Sequence, residues 1–434
     1  MQQPVHTNHR AMNNIVDPHI LPDESPHYLQ AVAELGENQD VIVQEDIFAD
    51  NGMKLFAKGA RINQSQCERL RHHKLRIPLD RLLSAENSVT AAVLAADVNR
   101  MFAQDASMSR LSERSGDPQG FRHEMGTLEL PRPLSFRMTV MREQRNDLYQ
   151  HTLRVTCITH AMAVRLGMSK RDRGNLLLAG LCHDLGEMHT DPLLLVDGHR
   201  ITPDERRFIH VHPITSYVIL QNMPAIPQAT LQAVLHHHER LDGSGYPYGL
   251  NETRIHPLAK VLCVAEVMEG IVRRADLQRL DVLLRLNQRR FDPAVVGVLR
   301  ALLRTDTSEE SSAPLENDAS VQLLHVTKVL TAWPQLQATL TAQSSEASEL
   351  LFLVERMAML RSLVLQSGIN PDDAQALLEL SREDPKVLSE IQATLDELVW
   401  LMIDIANEIE RRTITMNVSQ QATLGELIVL LRSA

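Results

Sequence analysis

The reading of this chain turns on HHHERLDGSGYPYGL, residues 236–250, taken together with LCHDLGE, residues 181–187. An adjacent His-Asp pair and a downstream run of histidines are costly to bury without a purpose. Imidazole is a common ligand for transition metals, and carboxylates complete such sites. Thiolates are not part of the pattern. Cys67, Cys157, Cys182 and Cys263 are widely spaced and no CxxC occurs, so neither a structural zinc site nor a disulfide framework is indicated. Cys182 adjoins the His-Asp pair, where a small buried side chain is the simpler role.

Outward from these segments, composition sets the bounds. At 434 residues the chain is long enough for two or three domains. Hydrophobic residues make up 44% and aromatics 3%, so the cores are expected to be Leu, Val, Ile, Ala and Met, as in mainly α proteins. The net charge of −11 argues against a nucleic-acid groove, which needs clustered Lys and Arg. It leaves room for a small phosphate ligand held by metals. The start, MQQPVHTNHR, is polar and does not read as a signal peptide, and no apolar run approaches a membrane span. A cytoplasmic location is the expectation.

Along the chain, residues 1–40 lack periodicity and are expected to be mobile. Residues 41–125 read as a small α+β module with a linker. VIVQEDIF is a predicted strand, Asp50-Asn51-Gly52 a hairpin turn, and MKLFAKGARI the returning strand. Asn63 is suited to cap a helix running to about Leu75, with Leu70 on its apolar face. Residues 103–126 are polar and read as a linker or long loop. Residues 126–304 read as the next domain, with a helical pattern almost throughout from about 135 to 303. One long amphipathic helix covers DLYQHTLRVTCITHAMAVRLGM and stops at Gly167 and Met168, and KRDRGNLLLAGLCHDLG follows as the next. Thr202-Pro203-Asp204-Glu205 is a helix start, and His212 is expected near the end of the helix carrying His210. Residues 305–320 read as a second linker. Residues 321–434 read as a C-terminal helical domain, with a helix start at Asn370-Pro371-Asp372-Asp373. Ile391, Leu395, Leu398, Met402, Ile405 and Ile409 there form a heptad-like seam. That seam fits equally a helix of an intramolecular bundle or a homodimer contact.

The His-Asp pair His183-Asp184, the HHE of His237-His238-Glu239 and the turn Gly245-Tyr246-Pro247 together make residues 135–303 resemble the HD-GYP family. These are metal-dependent phosphohydrolases associated with hydrolysis of the bacterial messenger cyclic di-GMP. The resemblance implies a mainly α fold built on an HD-type helical bundle. It implies two or three divalent metal ions, iron or manganese being favoured, that acidify a water and hold phosphate oxygens. Mapped residue by residue, it implies metal ligands at His151, His183, Asp184, His212, His237 and His238, with His183 and Asp184 at the catalytic centre. It also implies cyclic di-GMP or a related cyclic dinucleotide as partner, and the Gly245-Tyr246-Pro247 loop as a surface for a protein partner. His6, His9, His72, His73, His123 and His199 match no motif and receive no role. His160, His189, His210, His236 and His256 receive structural or supporting roles at most.

The sequence departs from the family at several positions. Glu187 stands where HDxGK has a lysine, a cation suited to phosphate. In AEVMEG, Glu266 stands where the ligand Asp of ADxxDA is expected, and Glu269 replaces the second Asp. Asp147 stands where some members carry a ligand Glu, one helical turn before His151. Asp147, Glu187 and Glu266 are therefore further ligand candidates. Ser216 replaces the Gly of HPxxG. An RPYR-like stretch is missing, which leaves Arg273 and Arg274 as candidates for substrate contact. Two functions stay open: a metal-dependent phosphodiesterase of cyclic di-GMP type, or a catalytically degenerate scaffold that binds metal or cyclic di-GMP for signalling.

Overall fold

A computed structural model describes residues 25–196, 199, 201–223, 225–274, 277–303, 319–343, 350–367, 369, 385–413 and 418–433. The chain is mainly α, with a small β-containing module near its start. It divides into two units. The first falls within Met1–Gln104, Pro118–His160 and Ser169–His237, and the second within Asp105–Asp117, Ala161–Met168 and His238–Ala434. These units cut across the segments that composition suggested. Of the expected linker at 305–320, residues 305–318 lie outside the described residues and 319–320 open the helix Ala319–Gln343, and the helix start at 370–373 also lies outside the described residues.

In the first unit, residues 26–38, expected to be mobile, form the helix Pro26–Asn38. Proline suits its first turn, and Tyr28, Leu29, Val32 and Leu35 supply a buried stripe at helical spacing. The expected strand VIVQEDIF is two strands, Val41–Val43 and Ile47–Phe48. The former pairs antiparallel with Leu83–Ala85, and the latter closes the expected hairpin with Lys54–Phe56. Asn63 caps the Gln64–Leu70 helix, its side chain accepting from Ser65 N at 3.0 Å. That helix ends at Leu70, short of the expected Leu75. The polar segment 103–126 is largely helical, as Ala106–Arg114 in the second unit and Gly120–Gly126 in the first. Met108 and Leu111 in one, and Phe121 and Met125 in the other, are buried and tie these short helices down.

The rest of the first unit is a helical frame: Arg132–Gln144, Asn146–Arg165 (continuing into the second unit), Lys170–Cys182, His212–Gln221 and Gln228–Leu235. The helix Pro203–His210 carries the expected capping box of Thr202 and Glu205. His212 lies near its end, as the sequence suggested, two residues beyond His210, and opens the next helix. Pro213 explains the break: proline fits a first turn and disrupts a helix interior. The N-terminal helix is fastened to the frame through buried polar groups. Tyr28 Oη donates to Asp80 at 2.5 Å, Asp80 pairs with Arg137, and Arg137 Nη1 lies 3.0 Å from His189 Nε2, whose ring stacks on Tyr28. Burial, with Arg137 beside it, holds the His189 pKa well below its ordinary value, so this ring is neutral. His189 ends the short 3₁₀ helix Leu185–His189 that follows the His-Asp pair.

In the second unit, Pro257–Arg274, Leu277–Leu286 and Pro293–Leu303 precede the C-terminal helices Ala319–Gln343, Leu351–Gln366, Pro385–Arg412 and Val418–Arg432. The seam of Pro385–Arg412 is covered within the chain. Leu395, Leu398, Met402, Ile405 and Ile409 are buried in one core with Leu323, Val326, Leu353, Leu360, Leu424 and Leu427. Of the two readings of that seam, the intramolecular bundle accounts for its burial. Among the described residues, no helix is long and apolar enough to cross a membrane.

Candidate metal centre

The centre forms where the helices of the first unit present their ends. His183 caps the C-terminus of Lys170–Cys182, His212 opens His212–Gln221, and His237 follows the end of Gln228–Leu235. His151 projects from the side of Asn146–Arg165. Asp184 lies between them, 4% exposed. Its Oδ2 lies 3.0 Å from His183 Nε2 and 3.6 Å from His151 Nε2. Its Oδ1 lies 3.2 Å from His212 Nε2 and 3.6 Å from His237 Nε2. One carboxylate therefore faces a pair of imidazoles with each oxygen.

The backbone fixes how these rings are used. Nδ1 of His183 lies 2.8 Å from Gly180 O, that of His212 2.7 Å from Ile209 O, and that of His237 2.6 Å from Val234 O. A carbonyl only accepts, so each Nδ1 carries the proton and each ring presents Nε2 to Asp184. His212 and His237 Nε2 are 3.1 Å apart, and two neutral rings of this tautomer bring lone pair against lone pair. A cation relieves that arrangement. A proton does so in part. Burial pushes the His212 pKa down, but the hydrogen bond and charge of Asp184 outweigh it and leave it raised. Burial, with the charges of His183 and His212, leaves His237 lowered. For Asp184, burial works against ionisation, and the surrounding imidazoles still hold its carboxyl well below the usual range. The donor set fits divalent metal. The ligand atoms of His151, His183 and Asp184 lie within 4.8 Å of one another, as do those of Asp184, His212 and His237. These are two candidate clusters sharing one carboxylate.

Close packing holds the His-Asp segment in place. Ser216, one of the departures noted above, has a structural role. Its buried hydroxyl accepts from Gly186 N at 2.8 Å and donates to His183 O at 2.7 Å. A side chain at Gly186 would place Cβ 2.3 Å from His212 O, so only glycine lets the two segments meet.

The remaining candidates are placed as follows. Glu187 is half-buried on the 3₁₀ helix, and its charge helps raise the His212 pKa. Asp147 stands away from the cluster: its side chain is 81% exposed and lies 3.9 Å from Arg145 Nε. His238 and Glu266 belong to the second unit, both half-buried, with Glu266 on Pro257–Arg274. The His238 ring stacks on Tyr246, centroids 4.5 Å apart. Arg273 and Arg274 end that helix, and their side chains lie outside the described residues. Of the supporting histidines, His160 Nε2 lies 3.4 Å from Glu124 Oε2 and His256 Nδ1 accepts from Leu258 N.

Sequence reasoning assigned nothing to Glu239, the acid of HHE. It is 1% exposed, and its two oxygens accept from Tyr248 N at 2.7 Å and Leu250 N at 2.8 Å. Burial raises its pKa, and the two backbone bonds oppose that rise. Glu239 thus braces the far side of the Gly-Tyr-Pro loop. Its place beside the loop glycines was the available signal, since turn amides commonly need an acceptor.

Comparison with known proteins agrees with this geometry. Residues 137–295 match the family model described as HD domain. The chain is 35% identical over 127 residues to the cyclic di-GMP phosphodiesterase PA4108 of Pseudomonas aeruginosa, covering 28% of this chain and 30% of that protein. It is 28% identical over 153 residues to the 3'3'-cGAMP-specific phosphodiesterase 1 of Vibrio cholerae, covering 35% of each. The match thus spans about a third of the length of these relatives. Among solved structures, Bd1817, a HDG"Y"P protein from Bdellovibrio bacteriovorus, aligns at 16% identity and a TM-score of 0.34, covering 62% of this chain and 94% of that one. Residues 137–295, with their His-Asp pair and clustered imidazoles, are thus similar to HD domains, and over about a third of its length the chain is similar to cyclic-dinucleotide phosphodiesterases.

Proposed function

We propose that this chain is a metal-dependent phosphodiesterase that opens cyclic di-GMP or a related cyclic dinucleotide. The observation that supports it best is Asp184, each of whose oxygens faces two imidazole nitrogens. A carboxylate so placed would serve as a ligand to divalent metal. The ligand set we propose is His151, His183, Asp184, His212 and His237; His238 and Glu266, in the second unit, are ligand candidates by motif alone. Glu187 is a neighbour that senses the site. Divalent ions held there would supply an acidified water and neutralise charge on phosphate. The protein's own part is to fix the ring tautomers through carbonyls 180, 209 and 234 and to keep Asp184 ionised. Iron or manganese suits this nitrogen and oxygen donor set.

Glu187 favours a second reading. A carboxylate in place of the phosphate-binding lysine weakens the hold on an anionic substrate, as a non-catalytic signalling scaffold would tolerate. One experiment separates the two. Protein loaded anaerobically with Fe(II) or Mn(II) is incubated with cyclic di-GMP and, separately, with 3'3'-cGAMP, and linear product is followed. Product that requires metal and is lost in Asp184→Ala supports the enzyme. Metal-loaded protein that yields none from either nucleotide supports the scaffold.

A further inference from the structure

We propose that the C-terminal helices position the Gly-Tyr-Pro loop and, through it, His238, so that Arg411, Arg412 and Arg356 are positioning residues for that histidine. This rests on the reading of His238 as a ligand given above.

The loop's consecutive carbonyls at 242, 243 and 244 are each taken by a different arginine. Arg356 Nη2 donates to Asp242 O at 2.8 Å, Arg412 Nη2 to Gly243 O at 2.7 Å, and Arg411 Nη2 to Ser244 O at 2.7 Å. Arg290 adds a bond to Ser244 Oγ at 3.0 Å. The arginines are themselves held. Arg356 Nε donates to Glu408 Oε2 at 2.8 Å and its Nη1 lies 3.3 Å from Asp242 Oδ2. Arg412 lies 2.9 Å from Glu408 Oε1, and Arg290 pairs with Asp404. Glu408 is 1% exposed. Arginines in the last turn of a helix ordinarily reach water or their own helix's final carbonyls. Arg411 and Arg412 end Pro385–Arg412 and are spent on another segment's backbone instead.

The connection to His238 is short. The Arg411 guanidinium lies 5.7 Å over the Tyr246 ring, and Tyr246 stacks on His238 with an interplanar angle of 23°. Tyr246 N also donates to His238 O at 3.2 Å. Gly245 lets the loop lie against its own stem, since a Cβ there would come within 2.4 Å of Glu239 Cα and Arg240 N. The loop therefore has little room to move unless the arginines release it. Groups that orient a metal ligand commonly change affinity by about 10–100-fold when removed.

The test uses the full-length chain. Arg411→Ala/Arg412→Ala, Arg411→Lys, Tyr246→Leu and the exposed control Arg361→Ala are compared for helical content, amide exchange over residues 243–248, and Mn(II) affinity from the free-ion magnetic resonance signal. The double variant is expected to exchange faster in the loop and to bind Mn(II) about tenfold more weakly. Arg411→Lys is expected to recover most of both. Tyr246→Leu is expected to weaken Mn(II) binding, and it decides the question if the double variant loses its helices. Arg361→Ala is expected to change neither. A loosened loop with unchanged Mn(II) affinity, or a loop that does not loosen, overturns the proposal. Wild-type protein that binds no Mn(II) instead sinks the ligand reading on which it rests.

Discussion

Ser216→Ala isolates one link that holds the His-Asp pair. The serine is fully buried, and its hydroxyl serves two backbone groups, the Gly186 N–H and the His183 carbonyl. Alanine leaves both without that partner. Each buried backbone group so orphaned costs about 1–3 kcal/mol, and the avoided burial of a hydroxyl returns part of this, so the net loss is about 2–4 kcal/mol. The two tryptophans, Trp333 and Trp400, both lie in the second unit, so their fluorescence does not report on this change. Amide exchange does. At about 1.4 kcal/mol per tenfold, the Gly186 amide should exchange about 30-fold faster or more. Metal affinity should fall with it, because His183 and Asp184 flank the freed carbonyl. Exchange at Gly186 within about threefold of wild type would refute the argument that this hydroxyl pins the segment.

Glu239→Ala should destabilise the second unit by about 2–5 kcal/mol, since the Tyr248 and Leu250 amides both lose their acceptor. Here tryptophan fluorescence during urea unfolding is the right reporter, and an unchanged midpoint would count against the brace. Acid should weaken the same unit through Asp404. Burial opposes its ionisation, yet Arg290, Arg411 and Arg240 hold its pKa below the ordinary 3.8. A depressed folded pKa gives stability that is full above the unfolded value and fades as pH falls through the folded one. Asp404→Asn should therefore flatten the loss of urea resistance below about pH 4, and an unaltered acid limb would contradict the assignment. Glu187→Lys should strengthen binding or turnover of cyclic di-GMP at unchanged metal content, because it restores a cation where phosphate is expected. Lost metal together with lost turnover would instead assign Glu187 to the ligand shell.

Much of the centre was legible because its signals are local. The pairs His183-Asp184 and His237-His238 announce themselves by adjacency, and the Thr202 capping box and the Asn63 cap rest on residues three apart or fewer. What escaped notice depends on distance or on sparse apolar positions. Nothing near Ser244 in the sequence reveals that Arg411 holds its carbonyl, since 167 residues separate them. The helices over 26–38 and 106–126 were hidden by polar surroundings that outnumber Tyr28, Leu35, Met108 and Phe121. That His212 opens a new helix rests on Pro213, which suits a first turn. Asp147 has the right spacing from His151 for a shared helix face, but spacing does not say whether that turn faces the interior, and the side chain is exposed.

The central claim is that imidazoles gathered on Asp184 hold divalent metal. Elemental analysis of full-length protein made in iron- or manganese-supplemented medium tests it directly, with Asp184→Ala alongside. The account predicts about two equivalents of transition metal in the wild type, and loss of metal from a variant that keeps its helical content. Less than one equivalent in the wild type, or undiminished metal in Asp184→Ala, would contradict it.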